Sequence, residues 1–191
     1  AEISRVQADL DAALIFAETS QLHLGADKKP LSQAHQEFSA AVKELQVAAD
    51  RVKQSSGKSS SEMGAAAQDL AKATTKLAEK AKTVAIVLGD FQVQKEVLGN
   101  AKSVAVRAQQ LVLASNRVNS NPEDTAARQR LQDSSAGITA DSQRLINHVN
   151  NVAGEALSEI AAVEAARQAV LKDRDTSNAA PGGTAKDVIH A

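Results

Sequence analysis

Four histidines, His23, His35, His148 and His190, are the side chains best suited to metal binding or to proton transfer near neutral pH. No two stand three or four residues apart, and none belongs to an HExxH or ExxH arrangement, so helical spacing never turns two ring nitrogens toward one ion. They read as surface or bundle-edge residues. The acid pairs Asp9/Asp11 and Glu123/Asp124 have the residue types of a general acid and base. A polar helix face or a helix first turn accounts for each, because a carboxylate there meets the positive end of the helix dipole. Cysteine is absent, which removes thiolate nucleophiles, thiolate zinc sites and disulfides and fits a reducing, intracellular compartment. No GxSxG, Walker loop or GxGxxG occurs, and Gly182–Gly183 follows no strand pattern. The expectation is a protein with no catalytic residues, no metal and no cofactor, and so not an enzyme.

The composition narrows the class further. The 191 residues carry 22 Lys+Arg against 23 Asp+Glu, a net charge of −1, with three Phe and no Trp or Tyr. A balanced charge and so few aromatics provide neither the basic surface nor the stacking platform of a nucleic-acid binder. No apolar run approaches the roughly 18 to 20 residues of a membrane span, and acids occupy the opening residues where a signal peptide would be basic and then apolar. A soluble chain is expected, with no transmembrane segment. Alanine fills 38 positions, and with Lys, Glu, Gln, Leu and Arg it makes helix the dominant preference, while alternating strand patterns are rare.

Gly, Pro and Ser/Asn/Asp clusters interrupt periodic segments at intervals of about 30 residues. The first predicted helix runs from about Glu2 to Leu24 on a stripe of Ile3, Val6, Leu10, Leu14 and Ala17, and is ended by Gly25 and Pro30. The second, Leu31 to about Ser55, aligns Leu31, Ala34, Phe38, Val42, Leu45, Ala49 and Val52. The third, about Ser61 to Leu88, takes its cap from Ser59 to Ser61 and aligns Met63, Ala67, Leu70, Thr74, Leu77, Ala81, Val84 and Leu88. Gly89 and Asp90 stop it and cap the fourth, about Asp90 to Asn119. The fifth is expected to begin at Pro122 with Asn121 as its cap. A sixth segment, 153–172, carries Ala156, Ile160, Val163, Ala166 and Val170 and joins the fifth through a soft junction at Gly154. From Asp173 a flexible tail is expected. The fold class is therefore all-α, an up-and-down five-helix bundle over 1–152, with the additional segment 153–172 and the tail 173–191.

The stripes contain Ala, Ser or Thr at many positions where Leu or Ile would bury more area, at roughly 25 cal/mol per Å². Such a bundle is soft, held by many weak layers rather than a few large anchors. In the fourth helix Val97, Ala101, Val104, Ala105, Ala108, Leu111, Val112 and Ser115 lie at offsets 0, 4, 7, 8, 11, 14, 15 and 18, with Asn100 the polar exception at offset 3.

This pattern resembles the vinculin-binding helix motif LxxAAxxVAxxVxxLIxxA of the talin rod; Val97 stands at its leading Leu, Asn100 at its first Ala and Ala108 at a central Val. The stretches ADLDAALIFAETSQL (8–22), VLGNAKSVAVRAQQLVLASNRV (97–118) and NPEDTAARQRLQDSSAG (121–137) are similar to the first, fourth and fifth helices of a five-helix bundle from the C-terminal half of that rod, and the likeness extends in order over 1–172. Residues 153–172 then resemble the opening helix of a following bundle. The resemblance implies a cytoskeletal adaptor at cell-adhesion sites on the inner face of the plasma membrane. Its expected partner is vinculin, bound through those eight residues when the bundle opens; integrin tails and actin are partners expected of the full-length protein. Residues 153–172 are expected to extend away from the bundle, the alternatives being a fold back as a sixth helix or a dimer in which a second copy covers the Ile160, Val163 and Val170 stripe. The residues themselves also allow a structural helical spacer without a vinculin site, or a helical bundle acting on lipid surfaces, for which three Phe and no Trp provide little interfacial anchoring.

Overall fold

The computed structural model describes residues 2–19 and 29–179. Five helices follow in order: α1 (Glu2–Glu18), α2 (Leu31–Ser55), α3 (Ser60–Leu88), α4 (Phe91–Ser120) and α5 (Thr125–Asn178), with no strand among the described residues. The chain divides into two compact units, 1–154 and 155–191.

Local chemistry sets most helix ends. Ser59 and Glu62 form a reciprocal capping box at the start of α3: the Glu62 N–H donates to Ser59 Oγ at 3.2 Å, and the Ser59 N–H donates to Glu62 Oε2 at 3.3 Å. Hydrogen bonding from Ser59 holds the Glu62 carboxyl below the usual carboxylate range. Gly89 ends α3 at φ 73°, the left-handed conformation that glycine adopts without a Cβ penalty. Asp90 then caps α4, accepting from the Val93 N–H at 3.0 Å.

Three boundaries differ from the sequence expectation. The described part of α1 ends at Glu18 rather than Leu24, where Thr19 turns its hydroxyl onto the carbonyls of Ile15 and Phe16; residues 20–28, including the expected stop at Gly25, lie outside the described residues. α5 begins at Thr125 instead of Pro122, because Asn121 to Asp124 form a turn closed by the Asp124 N–H on the Asn121 carbonyl. Asp124 is the cap, its carboxylate accepting from the Ala127 N–H at 2.9 Å. At its far end α5 continues unbroken through Gly154 to Asn178, six residues beyond the expected limit of 172, since no helix breaker occurs before Pro181. The remainder of the expected tail, 180–191, lies outside the described residues.

Within 1–154 the pairing of helices follows from cross-helix contacts. Glu44 and Lys76 (2.7 Å), Glu37 and Lys80 (2.8 Å), and Arg51 and Asp69 (3.5 Å) join α2 to α3 in antiparallel order. Lys102 pairs with Asp11, and Gln109 with Gln7 and Ser4, so α1 runs antiparallel to α4. Arg107 with Asp141 (3.5 Å) and His148 with Glu96 (3.2 Å) do the same for α4 and α5. His35 Nε2 lies 2.6 Å from Asn150 Oδ1, linking α5 to α2. Links of four, two and four residues between successive helices from α2 onward permit only antiparallel neighbours. α1 packs on α3 and α4 rather than on its sequence neighbour α2. The result is an up-and-down bundle of five helices.

The core is built from small side chains. Of the 39 buried hydrophobic residues among those described, 18 are alanine, and the large fully buried anchors are few, among them Leu10, Phe38, Leu45, Leu70, Leu77, Leu98, Leu111, Ile138 and Leu145. Small layers allow close helix approach but remove less apolar area from water per residue. Polar groups are buried as well. Thr74 donates to the Leu70 carbonyl at 2.7 Å and Ser55 to the Val52 carbonyl at 2.9 Å, each satisfied within its own helix. Gln94 Nε2, Ser115 Oγ and Ser142 Oγ have no hydrogen-bond partner among the described residues. An unsatisfied buried donor costs about 1 to 3 kcal/mol, and these three all lie on α4 or α5.

Candidate functional site

The eight residues singled out on the fourth helix share a face of α4. Seven are buried, namely Val97, Ala101, Val104, Ala105, Ala108, Leu111 and Ser115, none more than 2% exposed, while Val112 is half-buried against the core. Their burial has a topological cause. α4 packs against α3 and α1 and is tied to α5 by the Arg107–Asp141 and His148–Glu96 pairs, so neighbours on three sides cover a broad arc of its surface. Leu98, Ala114 and Val118 are buried on the same helix, and Gln94 is 2% exposed one turn before Val97. These four fall outside the sequence-derived set. Leu98 and Ala114 widen the stripe, which the three- and four-residue periodicity of the motif does not require, and Gln94 is polar and so invisible to a hydrophobic pattern.

The electrostatic frame around α4 is made of surface pairs rather than a charged pocket. Arg107 also brackets Gly137 of α5, where a Cβ would stand 3.0 Å from the Arg107 Cδ and Nε; the absent side chain makes room for the guanidinium to reach Asp141. His148 Nε2 lies within ion-pair distance of Glu96 but off the hydrogen-bonding direction. On the α2–α3 side, hydrogen bonds from Lys80 and then Lys29 hold the Glu37 carboxyl at about 2, well below the usual carboxylate range. An open groove of about 400 Å³ between α4 and α5 is lined by Arg107, Leu113, Arg117, Arg130 and Ser134. Among the described residues no group of three or more His, Asp or Glu converges as a metal site, and His35 and His148 stand apart with separate partners. His23 and His190 lie outside the described residues.

Residues 1–154 thus form an antiparallel helical bundle with a small-residue core, and the face of α4 singled out from the sequence is turned inward. The chain belongs to the talin rod family: the family model described as "Talin 1-like, rod segment domain" matches residues 1–157. It is similar to Talin-B of Dictyostelium discoideum, with 27% identity over 193 aligned residues that cover 100% of this chain and 7% of that protein. The chain therefore spans a small fraction of the length of the curated relative it matches. No described helix is long and apolar enough to cross a membrane.

Proposed function

We propose that this rod module is a force-gated adaptor whose α4 is a latent vinculin-binding helix. The observation that carries this reading is the burial of the motif positions: Val97, Ala101, Val104, Ala105, Ala108, Leu111 and Ser115 are sealed in the bundle, with Val112 at the edge of the same face. A helix docks in a partner's groove through its apolar stripe, and one stripe cannot serve its own bundle and a partner together. Binding therefore requires an open state. For a domain of ordinary stability opening costs about 5 to 15 kcal/mol, which keeps the face hidden at rest. The alanine-rich core and the orphaned Gln94, Ser115 and Ser142 lower that cost, and tension across the module favours the extended state. As part of a longer talin-like protein, the module would stand in the load path between integrin tails at the membrane and actin, in the cytoplasm at adhesion sites.

The test compares a peptide of residues 92–119 with the folded chain as ligands for the vinculin head. The peptide is expected to bind more tightly, by the free energy the folded chain must spend on opening. Equal affinities would show that no gate exists. Absence of binding by both would leave a helical spacer as the function.

A further inference from the structure

The groove of about 400 Å³ between α4 and α5 carries more positive charge than its own side chains neutralise. Arg107 and Arg117 reach it from α4 and Arg130 from α5, and Asp133 is the carboxylate among its described lining residues. Asp133 pairs with none of the three; its Oδ1 accepts from Gln129 Nε2 at 2.9 Å. Arg107 is engaged by Asp141 at 3.5 Å, whereas Arg117 and Arg130 have no carboxylate partner among the described residues. The register fixed by the Arg107–Asp141 and Glu96–His148 pairs sets Arg117 level with Arg130 on the opposite helix. Two unpaired guanidiniums therefore flank the same stretch of groove, where like charges repel unless an anion joins them.

We propose that this stretch is a binding site for a phosphomonoester, and that its occupant is a phosphorylated serine or threonine of a partner protein. Charge selects the group. A carboxylate brings one negative charge, enough for one guanidinium, and leaves the second fork unpaired. A phosphomonoester carries a charge of about −1.5 to −2 and three acceptor oxygens on one tetrahedral centre, which two planar forks from opposite walls can share. The surroundings select the source. Glu123 and Asp124 stand in the turn at this end of the bundle, and Asp133 and Asp141 lie along α5, so a flat anionic membrane would press its charge against four carboxylates. A single phosphate on a narrow peptide meets the arginines without that conflict. Leu113, 56% exposed beside them, offers an apolar contact to a neighbouring peptide side chain. A ligand that bridges α4 and α5 binds the closed bundle and so opposes opening; this consequence, unlike the site itself, rests on the gate proposed above.

The experiment follows the backbone amide shifts of the 191-residue chain by NMR during titration with blocked phosphoserine (N-acetyl, N-methylamide) and, separately, with the equally blocked glutamate. Phosphoserine is expected to shift residues 113–117 and 130–134 saturably, and glutamate to bind far more weakly. Arg117→Gln and Arg130→Gln, both at exposed positions, should each weaken phosphoserine binding about tenfold, the loss expected when a charged hydrogen-bonding partner is removed. Arg51→Gln on α2 should leave it unchanged. Phosphoserine should also raise the thermal midpoint of the parent chain and leave that of Arg117→Gln where it was. Equal affinity for glutamate, shifts scattered over other basic residues, or indifference to Arg117→Gln would each overturn the site. Phosphatidylcholine vesicles doped with phosphatidylinositol bisphosphate are expected not to sediment the chain; sedimentation that depends on Arg117 and Arg130 would make a lipid headgroup the occupant and overturn the partner-protein assignment.

Discussion

If α4 is the vinculin-binding helix proposed above, two substitutions one turn apart on α5 should move vinculin-head binding in opposite directions without touching α4. Ser142 is fully buried, and its hydroxyl has no partner. Ser142→Ala removes an orphaned group and leaves nearly the same volume, so a gain of about 1 kcal/mol is expected, the low end for an unsatisfied buried polar group. Leu145 is also fully buried. Leu145→Ala deletes three carbons from the core and should cost about 3 kcal/mol, within the range for such truncations. In the proposed gate the open state frees α4 from α5, so these energies would scale the open population directly: about fivefold down for Ser142→Ala, and about 150-fold up for Leu145→Ala. Urea denaturation gives the stabilities, with midpoints shifting and the slope unchanged. Titration of each folded variant with vinculin head gives the affinities, and the peptide 92–119 serves as a common reference since neither change lies within it. If the two midpoints separate as expected while the affinities stay equal, opening does not gate binding. If Ser142→Ala lowers the midpoint, the hydroxyl is not an energetic defect.

Acid stability and the α5 junction provide two further tests. Glu37 has a folded pKa of about 2 against an ordinary value of 4.5, set by Lys80 first and Lys29 second, so between these values the unfolded chain binds more protons than the folded one. The stabilisation from this carboxylate is complete above pH 4.5 and is lost as pH falls toward 2; thermal midpoints followed over this window should fall less steeply in Glu37→Gln than in the parent chain. Gly154 lies inside a continuous helix, and a Cβ there meets nothing within 4 Å. Gly154→Ala should therefore stabilise the local helix by about 0.5 to 1 kcal/mol. Slower amide exchange over residues 150–158 is the expected readout, and faster exchange would mean that the glycine relieves a contact.

Much of this fold was legible because bundle helices announce themselves through a single physical rule, an apolar stripe at a period near 3.6. Most of the stripe positions of the first four helices are buried as their spacing requires, while Leu14, Ala67, Leu88 and Val112 are half-buried at the edges. What escaped were features set by local competition. Asn121 stands before a proline at a good cap position, yet a tight turn over 121–124 passes the cap to Asp124, and sequence alone does not weigh one acceptor against another three residues away. Gly154 read as a soft junction, but a lone glycine costs a long helix only about 1 kcal/mol, and no second breaker stands beside it. The packing of α1 on α3 and α4 was equally hidden, since every stripe in a bundle looks alike until the neighbours are known. The face on α4 was readable in outline and incomplete in width: Leu98 and Ala114 are buried because three helices surround α4, a property of the arrangement and not of the helix.

The odd number of antiparallel helices has a mechanical consequence. Alternation over five helices starts α1 at one end of the bundle and brings α5 to Ala153 at the other, so the two attachment points of this unit are diametrically opposed. A pull along the axis then slides neighbouring helices past one another and strains all layers of a seam at once. Attachment points at the same end would instead separate the layers one after another, like a zipper. In the force-gated role proposed above, the five-helix count would give a weakly packed core a sharp yield point, with small loads resisted collectively and the whole of α4 released in one event.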